Sequence, residues 1–213
     1  MKNPRLLPLW LFPIDSPLKK ISPAEEKIAN LLPPIRAYQY RLARGYARFA
    51  LSKFLKINAL DIPLDALPGK APKLDNNLGY ISFSHCKDAL LIGWSAAKIG
   101  VDLERSDRKL AASQLANRLF TKEELQRLEQ LTASKLNSKV LENWVLKEAV
   151  IKWQRGQISK DCIHWNINQE SRIASHEKLN YKVNVFIKHY QSWLIGIAYS
   201  DSVHKDEIII YSN

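Results

Sequence analysis

The sequence predicts an α+β protein in which long helices pack against antiparallel strands. Two stretches, residues 35–56 and 139–155, carry apolar side chains at helical spacing. Residues 80–94 hold two β-rich segments separated by a short link, which favours a hairpin. Residues 181–199 hold a second pair of β-rich segments, which we also expect to be antiparallel. Long helices together with antiparallel strands define the α+β class.

The first half of the chain begins with a predicted strand at residues 10–12. Ser22 and Glu25 then match a capping box, with Pro23 at the first helical position, so a helix begins here. This helix ends before Pro33, because the residue in front of a proline disfavours the helical conformation. A strand and a short helix therefore precede the first long helix.

The long helix at residues 35–56 has two distinct faces. Its apolar face falls at positions i, i+4, i+7 and i+8 and consists of Leu42, Tyr46, Phe49 and Ala50. Arg41, Arg44 and Arg48 form a separate basic edge. Such an edge is most often a solvated face. Guanidinium groups also suit phosphate oxygens, so the edge is a candidate anion site as well.

The second half of the chain follows a boundary that we place at residues 95–98. We expect a strand at residues 100–104 and then three helices: one at 108–120, a second that begins at Thr121, and the central helix at 139–155. Four strands follow, at residues 163–167, 181–189, 193–199 and 208–211.

Size and charge limit the kinds of protein that this chain can be. Its 213 residues are enough for one large domain or two small ones, with 46% hydrophobic residues available for a core. The formal net charge is +11, which favours an acidic partner such as a nucleic acid, an anionic membrane, a phosphorylated ligand or an acidic protein. A solvated basic surface without a specific partner is also compatible with this charge.

The cysteines and the amino-terminal residues bear on the compartment. Cys86 and Cys162 do not form a disulfide framework or a zinc-binding pattern, and a reducing cytosol fits them best. The apolar stretch at residues 6–14 is interrupted by Pro8 and Pro13 and is too short to span a membrane. We therefore expect a cytoplasmic protein without a membrane anchor.

Three carboxylates form a candidate metal site. Asp102 and Glu104 alternate with apolar residues in a predicted strand, so both leave the same face of it. Glu148, in the central helix, is a possible third oxygen ligand, and such ligands suit Mg²⁺. The ordinary alternative is that Glu148 forms a surface ion pair with Lys152, four residues later. Asp102 and Glu104 would then lie on the solvent face of an edge strand.

Other chemically capable residues have ordinary explanations too. Ser84 and His85 end a predicted strand, where they could face a cleft, although a lone histidine is more often structural. Thr121 and Glu124 match a capping box, which is a sufficient structural reason for this glutamate. Lys70 lies in a loop that ends in Gly-Lys-Ala-Pro.

Read in order, these residues resemble the phosphopantetheinyl transferases, specifically the long, surfactin-synthetase-activating type. The motifs that carry the resemblance are Gly69-Lys70-x-Pro72, Phe83-Ser84-His85, Gly100-Val101-Asp102-Leu103-Glu104 and Trp144-x-x-Lys147-Glu148-Ala149-x-x-Lys152. Ala71 is an insertion into the family's usual Gly-Lys-Pro. Each motif is weak alone, but four in this order in a chain of this length form a specific signal.

The resemblance implies a reaction, a metal and a partner. The family transfers the 4′-phosphopantetheine arm of coenzyme A to a serine hydroxyl of an apo carrier protein and releases adenosine 3′,5′-bisphosphate. It implies Mg²⁺ as the cofactor and an acidic acyl, polyketide or peptidyl carrier protein as the partner, docked on a basic surface. It does not imply binding to a nucleic acid or a membrane.

The resemblance also implies a role for each candidate residue. Asp102, Glu104 and Glu148 would bind Mg²⁺. Ser84 and His85 would contact the 3′-phosphate of coenzyme A, with Lys70 near the adenine nucleotide and Arg41 at a phosphate. Lys147 and Lys152 would face the pyrophosphate, and both can stabilise the charge of the leaving phosphate. The base that takes the serine proton would be Glu148, Glu124 or a metal-bound water, and the sequence does not decide among them.

The fold that the resemblance implies has two similar lobes with pseudo-twofold symmetry, each a small antiparallel sheet packed with a long helix. We expect residues 1–97 to form the amino-terminal lobe and residues 98–213 the carboxy-terminal lobe, which carries the metal site. Coenzyme A would lie between them. The length also fits the single-chain, monomeric form of the family better than its short trimeric form.

Two other functional classes remain open on the sequence. The charge of +11 together with six tryptophans and eight tyrosines is compatible with a basic nucleic-acid-binding module. The carboxylates are also compatible with another Mg²⁺-dependent phosphoryl-transfer enzyme, such as a nuclease.

Overall fold

The first of two large sheets is built from both ends of the chain. A computed structural model of the protein describes residues 6–75, 77–200 and 207–212. The strands of this sheet are β1 (Leu7–Pro13), β4 (Tyr80–His85), β5 (Ala89–Ser95) and β11 (Ile208–Ser212), in the order β11-β1-β5-β4. β5 is antiparallel to β1 and β4, whereas β11 is parallel to β1.

Two helices accompany this first sheet. They are α1 (Pro23–Asn30) and α2 (Pro34–Leu55), followed by the two-residue strands β2 (Leu64–Asp65) and β3 (Lys73–Leu74). The apolar face of α2 packs on the sheet, where Leu42 and Tyr46 share a buried cluster with Trp10 and Ile92. The predicted extent of this helix is correct to within about a residue, and its predicted apolar stripe is the face that packs.

The basic edge of α2 contains one arginine with a structural role. The Arg48 guanidinium is buried, lies 2.8 Å from the Glu25 carboxylate of α1, and also donates to the carbonyl oxygens of Ala59 and Ile62. Glu25 at the same time completes the capping box with Ser22. This buried ion pair ties α1 to α2 and leaves Arg48 unable to bind a ligand.

The second sheet carries the other half of the chain. Its strands are β6 (Ile99–Arg105), β7 (Trp165–Asn168), β8 (Ile173–His176), β9 (Lys182–Tyr190) and β10 (Trp193–Tyr199), in the antiparallel order β6-β10-β9-β8-β7. The helices of this half are α3 (Ala112–Leu119), α4 (Lys122–Glu129), α5 (Ala133–Gln154) and α6 (Ile158–Asp161).

The long helix α5 lies very close to the second sheet because two glycines permit it. A Cβ added at Gly196 of β10 would lie 2.7 Å from the carbonyl oxygen of Val145, and one at Gly100 of β6 would overlap the carbonyl oxygen of Ala149. Only a residue without a side chain fits at either position. This close approach brings the side chains of α5 next to those of β6.

The two sheets meet along strands β4 and β6. The hydroxyl oxygens of Ser82 and Ser84 accept hydrogen bonds from the backbone N–H groups of Val101, at 3.0 Å, and Leu103, at 3.2 Å. One buried cluster includes residues of both sheets, among them Leu9, Leu91, Val101, Ile195 and Ile197. The sheets therefore share a core, although each has its own long helix.

The structure confirms the α+β class predicted from the sequence. The predicted boundary between residues 97 and 98 stays a prediction; it falls between β5 and β6, while β11 returns to the first sheet. Helix α3 begins at Ala112 rather than at Arg108, because the chain first makes a turn in which Arg108 N–H donates to the Arg105 carbonyl. Among the described residues, no helix is both long enough and apolar enough to cross a membrane.

Candidate active site

A deep cleft of about 780 Å³ lies between α2 and the carboxy-terminal end of α5. Its floor is formed by β4, and the loop at residues 68–72 closes one side. The charged residues that line it, within the described part of the chain, are the cations Arg36, Arg44, Lys70, Lys98, Lys152 and Arg155 and one anion, Glu148. This excess of positive charge suits a ligand that carries several negative charges.

A hydrogen-bonded cluster of three side chains joins the two sheets at this cleft. Lys152 Nζ of α5 lies 2.6 Å from Asp102 Oδ1 and 2.9 Å from Ser84 Oγ. The Ser84 hydroxyl donates to the same Asp102 oxygen at 2.7 Å. The other oxygen of this carboxylate, Asp102 Oδ2, is buried without a hydrogen-bond partner in the structure. An ionised oxygen in such a position needs a cation or a donor beside it.

Glu148 is a second carboxylate at the same place. Its Oε2 lies 3.9 Å from Lys152 Nζ, and its side chain lines the cleft. Burial raises the pKa of Glu148 to about 7, the negative charge of Asp102 adds to this rise, and the charges of Lys152 and Arg108 oppose it. Two carboxylates that repel each other in this way form a site that favours a positive ion between them.

The third predicted metal ligand has a different partner. Glu104 is two residues beyond Asp102 on the same face of β6, but its carboxylate is ion-paired with Arg108. It lines a separate cavity of about 710 Å³ together with Cys86 and Arg105. As the side chains are placed, the described residues contain no group of three or more His, Cys, Asp or Glu side chains that would hold a metal ion.

The available residues nevertheless fit Mg²⁺ in their chemistry. Asp102 and Glu148 supply oxygen donors, which this hard cation prefers, and the buried Asp102 Oδ2 has a free coordination position. Glu104, the third oxygen donor predicted from the sequence, has its Oε1 engaged by Arg108. Of the three carboxylates predicted to bind Mg²⁺, the structure brings Asp102 and Glu148 together at Lys152 and pairs Glu104 with Arg108.

Lys147 and Glu124 are placed together, but away from the cleft. Their side chains are fully buried, with Lys147 Nζ 2.8 Å from Glu124 Oε2. The lysine also donates to the carbonyl oxygens of Cys162 and Trp165, and the glutamate accepts from the backbone N–H groups of Thr121 and Ile167. The capping-box interpretation of Glu124 is confirmed. A pyrophosphate in the cleft does not reach Lys147 in this arrangement, because its amine points into the core.

The predicted coenzyme A residues differ in their access to the cleft. His85 and Lys70 line it, whereas the Ser84 hydroxyl is occupied by Asp102, Lys152 and the Leu103 N–H. Burial lowers the pKa of His85, and the nearby charge of Lys152 lowers it further. The imidazole is therefore neutral at pH 7 and can donate one hydrogen bond to an anion.

Arg41 is not the arginine that faces the cleft. Its guanidinium bonds to Glu26 and Asn30 of α1, each at 2.6 Å. Arg44 lines the cleft instead, where it stacks 3.9 Å from the centre of the Tyr40 ring. Side chains three residues apart on a helix point in directions only about 60° apart. The sequence pattern therefore could not show which arginine of the basic edge, Arg41 or Arg44, faces the cleft.

Three other cleft residues were missed from the sequence. Arg36, Lys98 and Arg155 belong to no motif, and their side chains reach the cleft from three separate segments of the chain. Lys98 and Arg155 are 57 residues apart in sequence and meet only because α5 runs antiparallel to β6. The net charge was the only signal that could have indicated them.

The comparison with known proteins identifies a family to which this chain is similar. Residues 98–204 match the model of the 4′-phosphopantetheinyl transferase superfamily, which is half of the chain and includes Asp102, Glu148 and Lys152. The chain belongs to this superfamily.

A particular relative is a Synechocystis sp. protein named "Putative 4'-phosphopantetheinyl transferase". The two sequences are 29% identical over 157 residues, which is 68% of this chain and 63% of the relative. The alignment thus spans less than two thirds of the relative's length.

Proposed function

We propose that this protein transfers the 4′-phosphopantetheine arm of coenzyme A to a serine hydroxyl of an apo carrier protein, with Mg²⁺ as the cofactor. The observation that carries this proposal is the convergence of Asp102, Glu148 and Lys152 at the edge of a cationic cleft. Membership of the superfamily supports the reaction class.

The proposed reaction exchanges the phosphoanhydride bond of coenzyme A for a phosphoester bond to serine. The serine oxygen of the carrier attacks the phosphorus that bears the pantetheine arm, and the bond from that phosphorus to the pyrophosphate bridging oxygen breaks. Adenosine 3′,5′-bisphosphate leaves with the bond's electron pair, and the serine proton passes to a base. A magnesium ion would neutralise the pyrophosphate oxygens during this exchange.

Glu148 is the better candidate for the base. Its carboxylate lines the cleft, where a serine hydroxyl of the carrier can approach it and pass on its proton. Glu124 is fully buried and paired with Lys147, so a serine hydroxyl in the cleft does not reach it. We propose that Lys152 stabilises the charge of the departing phosphate, since its amine lies 2.6 Å from Asp102 and its side chain lines the cleft.

The positive charge of the cleft supports coenzyme A as the substrate, because coenzyme A is an anion. Coenzyme A carries a pyrophosphate and a 3′-phosphate, and we propose that Arg44, Lys70 and His85 hold these groups. The net charge of +11 supports docking of an acidic carrier protein by long-range attraction. Two sheets and two long helices in a single chain support the long, surfactin-synthetase-activating subtype. We propose that the protein acts as a monomer in the cytoplasm.

The proposal is tested by following the mass of carrier proteins. Several apo acyl, polyketide and peptidyl carriers are incubated with the protein, coenzyme A and Mg²⁺, and the expected result is a gain of the phosphopantetheine mass. Asp102→Asn is expected to lower the rate by about 100-fold or more, because it removes a charge from the centre of the site. Chelation of Mg²⁺ is expected to stop the reaction.

The matched control is Asp107→Asn. This carboxylate is near Asp102 in sequence but exposed, and it pairs with Arg105 outside the cleft, so we expect nearly full activity. A rate for Asp102→Asn equal to that of the unmodified protein would contradict the proposed site. Absence of any mass gain on all three classes of carrier would contradict the proposed reaction.

Nucleic-acid binding receives less support from the structure than from the composition. Trp10, Trp144, Trp153 and Trp165 are buried in the core, and Trp94 and Trp193 are partly buried. Aromatic side chains that stack on bases must be exposed. The tryptophans that suggested this alternative are explained by packing.

A further inference from the structure

Arg108 pairs with Glu104, which lines a cavity separate from the cleft that Glu148 lines. Asp102 and Glu104 leave the same face of β6, and Arg108 follows four residues after Glu104, in the turn beyond the strand. The guanidinium forms an ion pair with the Glu104 carboxylate. Asp102 has a cation partner as well, Lys152, but one of its oxygens, Oδ2, is buried without a hydrogen-bond partner.

The third carboxylate, Glu148 of α5, has its Oε2 3.9 Å from Lys152 Nζ. Lys152 also provides the positive charge beside Asp102. Two side-chain cations, Arg108 and Lys152, thus stand among the three acidic groups that are proposed to bind Mg²⁺.

The Arg108 side chain is the more exposed member of this ion pair. Its exposed fraction is 42%, compared with 15% for Glu104, so the guanidinium can turn into solvent more readily than the carboxylate can. Partly exposed ion pairs are weak and open readily. An arginine also stays charged at every accessible pH, so it competes with a metal ion under all conditions.

We propose that Arg108 is a positioning residue that competes with Mg²⁺ for Glu104 and thereby sets the affinity of the site for the metal. With the pair closed, Asp102 and Glu148 are the carboxylates available to the ion; with the pair open, Glu104 joins them. This inference rests on the proposed function for the identity of the metal, but it concerns a residue outside the motifs of the superfamily.

The neighbouring Arg105 provides a matched control. It has the same charge and lies three residues earlier, but it pairs with Asp88 at 2.9 Å and Asp107 at 3.0 Å. Replacing either arginine by glutamine changes the net charge equally. Only replacement of Arg108 removes the partner of Glu104.

The test is calorimetric titration of the full chain with Mg²⁺ alone, at low salt. Arg108→Gln is expected to bind Mg²⁺ about tenfold more tightly than the unmodified protein, because a nearby positive charge is removed and a ligand is released. Arg108→Lys, which keeps the charge, and Arg105→Gln are expected to bind within about twofold of the unmodified protein.

A double variant separates release of the ligand from a general effect of charge. Adding Glu104→Gln to Arg108→Gln is expected to abolish the gain in affinity, because no third carboxylate remains to be released. The inference is overturned if Arg108→Gln binds Mg²⁺ no more tightly than the unmodified protein, including the case in which neither binds it. It is also overturned if the double variant keeps the full gain.

These outcomes are distinct from those of the transfer assay. A protein that transfers the arm but whose Mg²⁺ affinity is unchanged by Arg108→Gln overturns the role of Arg108 and leaves the proposed function intact. A protein with the expected affinities that modifies no carrier overturns the proposed reaction and leaves the role of Arg108 intact.

Discussion

Two lysines of α5, Lys147 and Lys152, have opposite environments although both belong to the same motif. Five residues along a helix correspond to a rotation of about 140°, so the two side chains leave different faces. Lys152 lies at the cleft beside Asp102, whereas Lys147 is fully buried against Glu124. The motif therefore contains one lysine that lies at the candidate site, Lys152, and one that anchors α5 in the core, Lys147.

Removal of the buried amine is expected to destabilise the protein. Lys147→Met leaves the Glu124 carboxylate buried without its cation, and we expect the free energy of unfolding in urea to fall by about 3–5 kcal/mol. The control is Lys139→Met, whose ion pair with Glu142 is partly exposed and whose loss should cost less than about 1 kcal/mol.

The same variant distinguishes an anchor from a ligand of the pyrophosphate. If the Lys147→Met variant were as stable as the unmodified protein but no longer transferred the phosphopantetheine arm, the Lys147 amine would act in the cleft and not as an anchor. Below its denaturation temperature, we expect the folded variant to keep most of its affinity for coenzyme A.

At the scale of elements, the site depends on how closely α5 approaches β6. Gly100 permits this approach, because any side chain there would meet the carbonyl oxygen of Ala149 and the backbone of Trp153. The same contact places Lys152 and Glu148 beside Asp102. Gly100 is thus needed for the close packing of α5 on β6, and this packing in turn brings Lys152 and Glu148 next to Asp102.

Enlarging this glycine is expected to damage stability and the site together. Gly100→Ala should lower the free energy of unfolding by about 2–3 kcal/mol, since backbone atoms have to move. It should also weaken binding of Mg²⁺, measured by calorimetry, because α5 shifts away from β6.

Gly69→Ala serves as the comparison for this variant. No atom lies within 4 Å of its added Cβ, and it suffers only the strain of a residue at φ +73°. We expect a cost of about 1 kcal/mol and unchanged Mg²⁺ binding. Equal effects of both substitutions on Mg²⁺ binding would refute the packing explanation.

The whole molecule behaves as one unit because its two sheets share a core. Strand β11 follows the second sheet in sequence but pairs with β1 of the first. Its Ile208 is buried in the cluster that contains Leu9 and Ile195, one from each sheet. Neither sheet can therefore lose its packing without exposing apolar surface of the other.

Shortening Ile208 is expected to destabilise both halves equally. Ile208→Ala should cost about 2–4 kcal/mol, and unfolding followed by tryptophan fluorescence and by circular dichroism should remain a single coincident transition. Ile210→Ala, on the same strand but only partly buried, should cost less. Two separated transitions would show that the halves unfold independently.

Periodicity in the sequence was sufficient to predict the long elements. α2 and α5 have apolar stripes of many residues, and β4, β5, β9 and β10 are rich in β-branched and aromatic residues. Strand β8 was missed because its four residues, Ile173 to His176, show no such pattern. Its conformation follows from pairing with β7 and β9 on either side.

The sequence by itself determined the α+β class, the residue types of the site and their order along the chain, because local periodicity and short motifs contain this information. Only the tertiary structure decided where each charged side chain points. It turned Arg44 rather than Arg41 into the cleft, buried Lys147 with Glu124, and paired Glu104 with Arg108. These choices depend on which distant partner satisfies each charge, and that is set by packing between elements far apart in the chain.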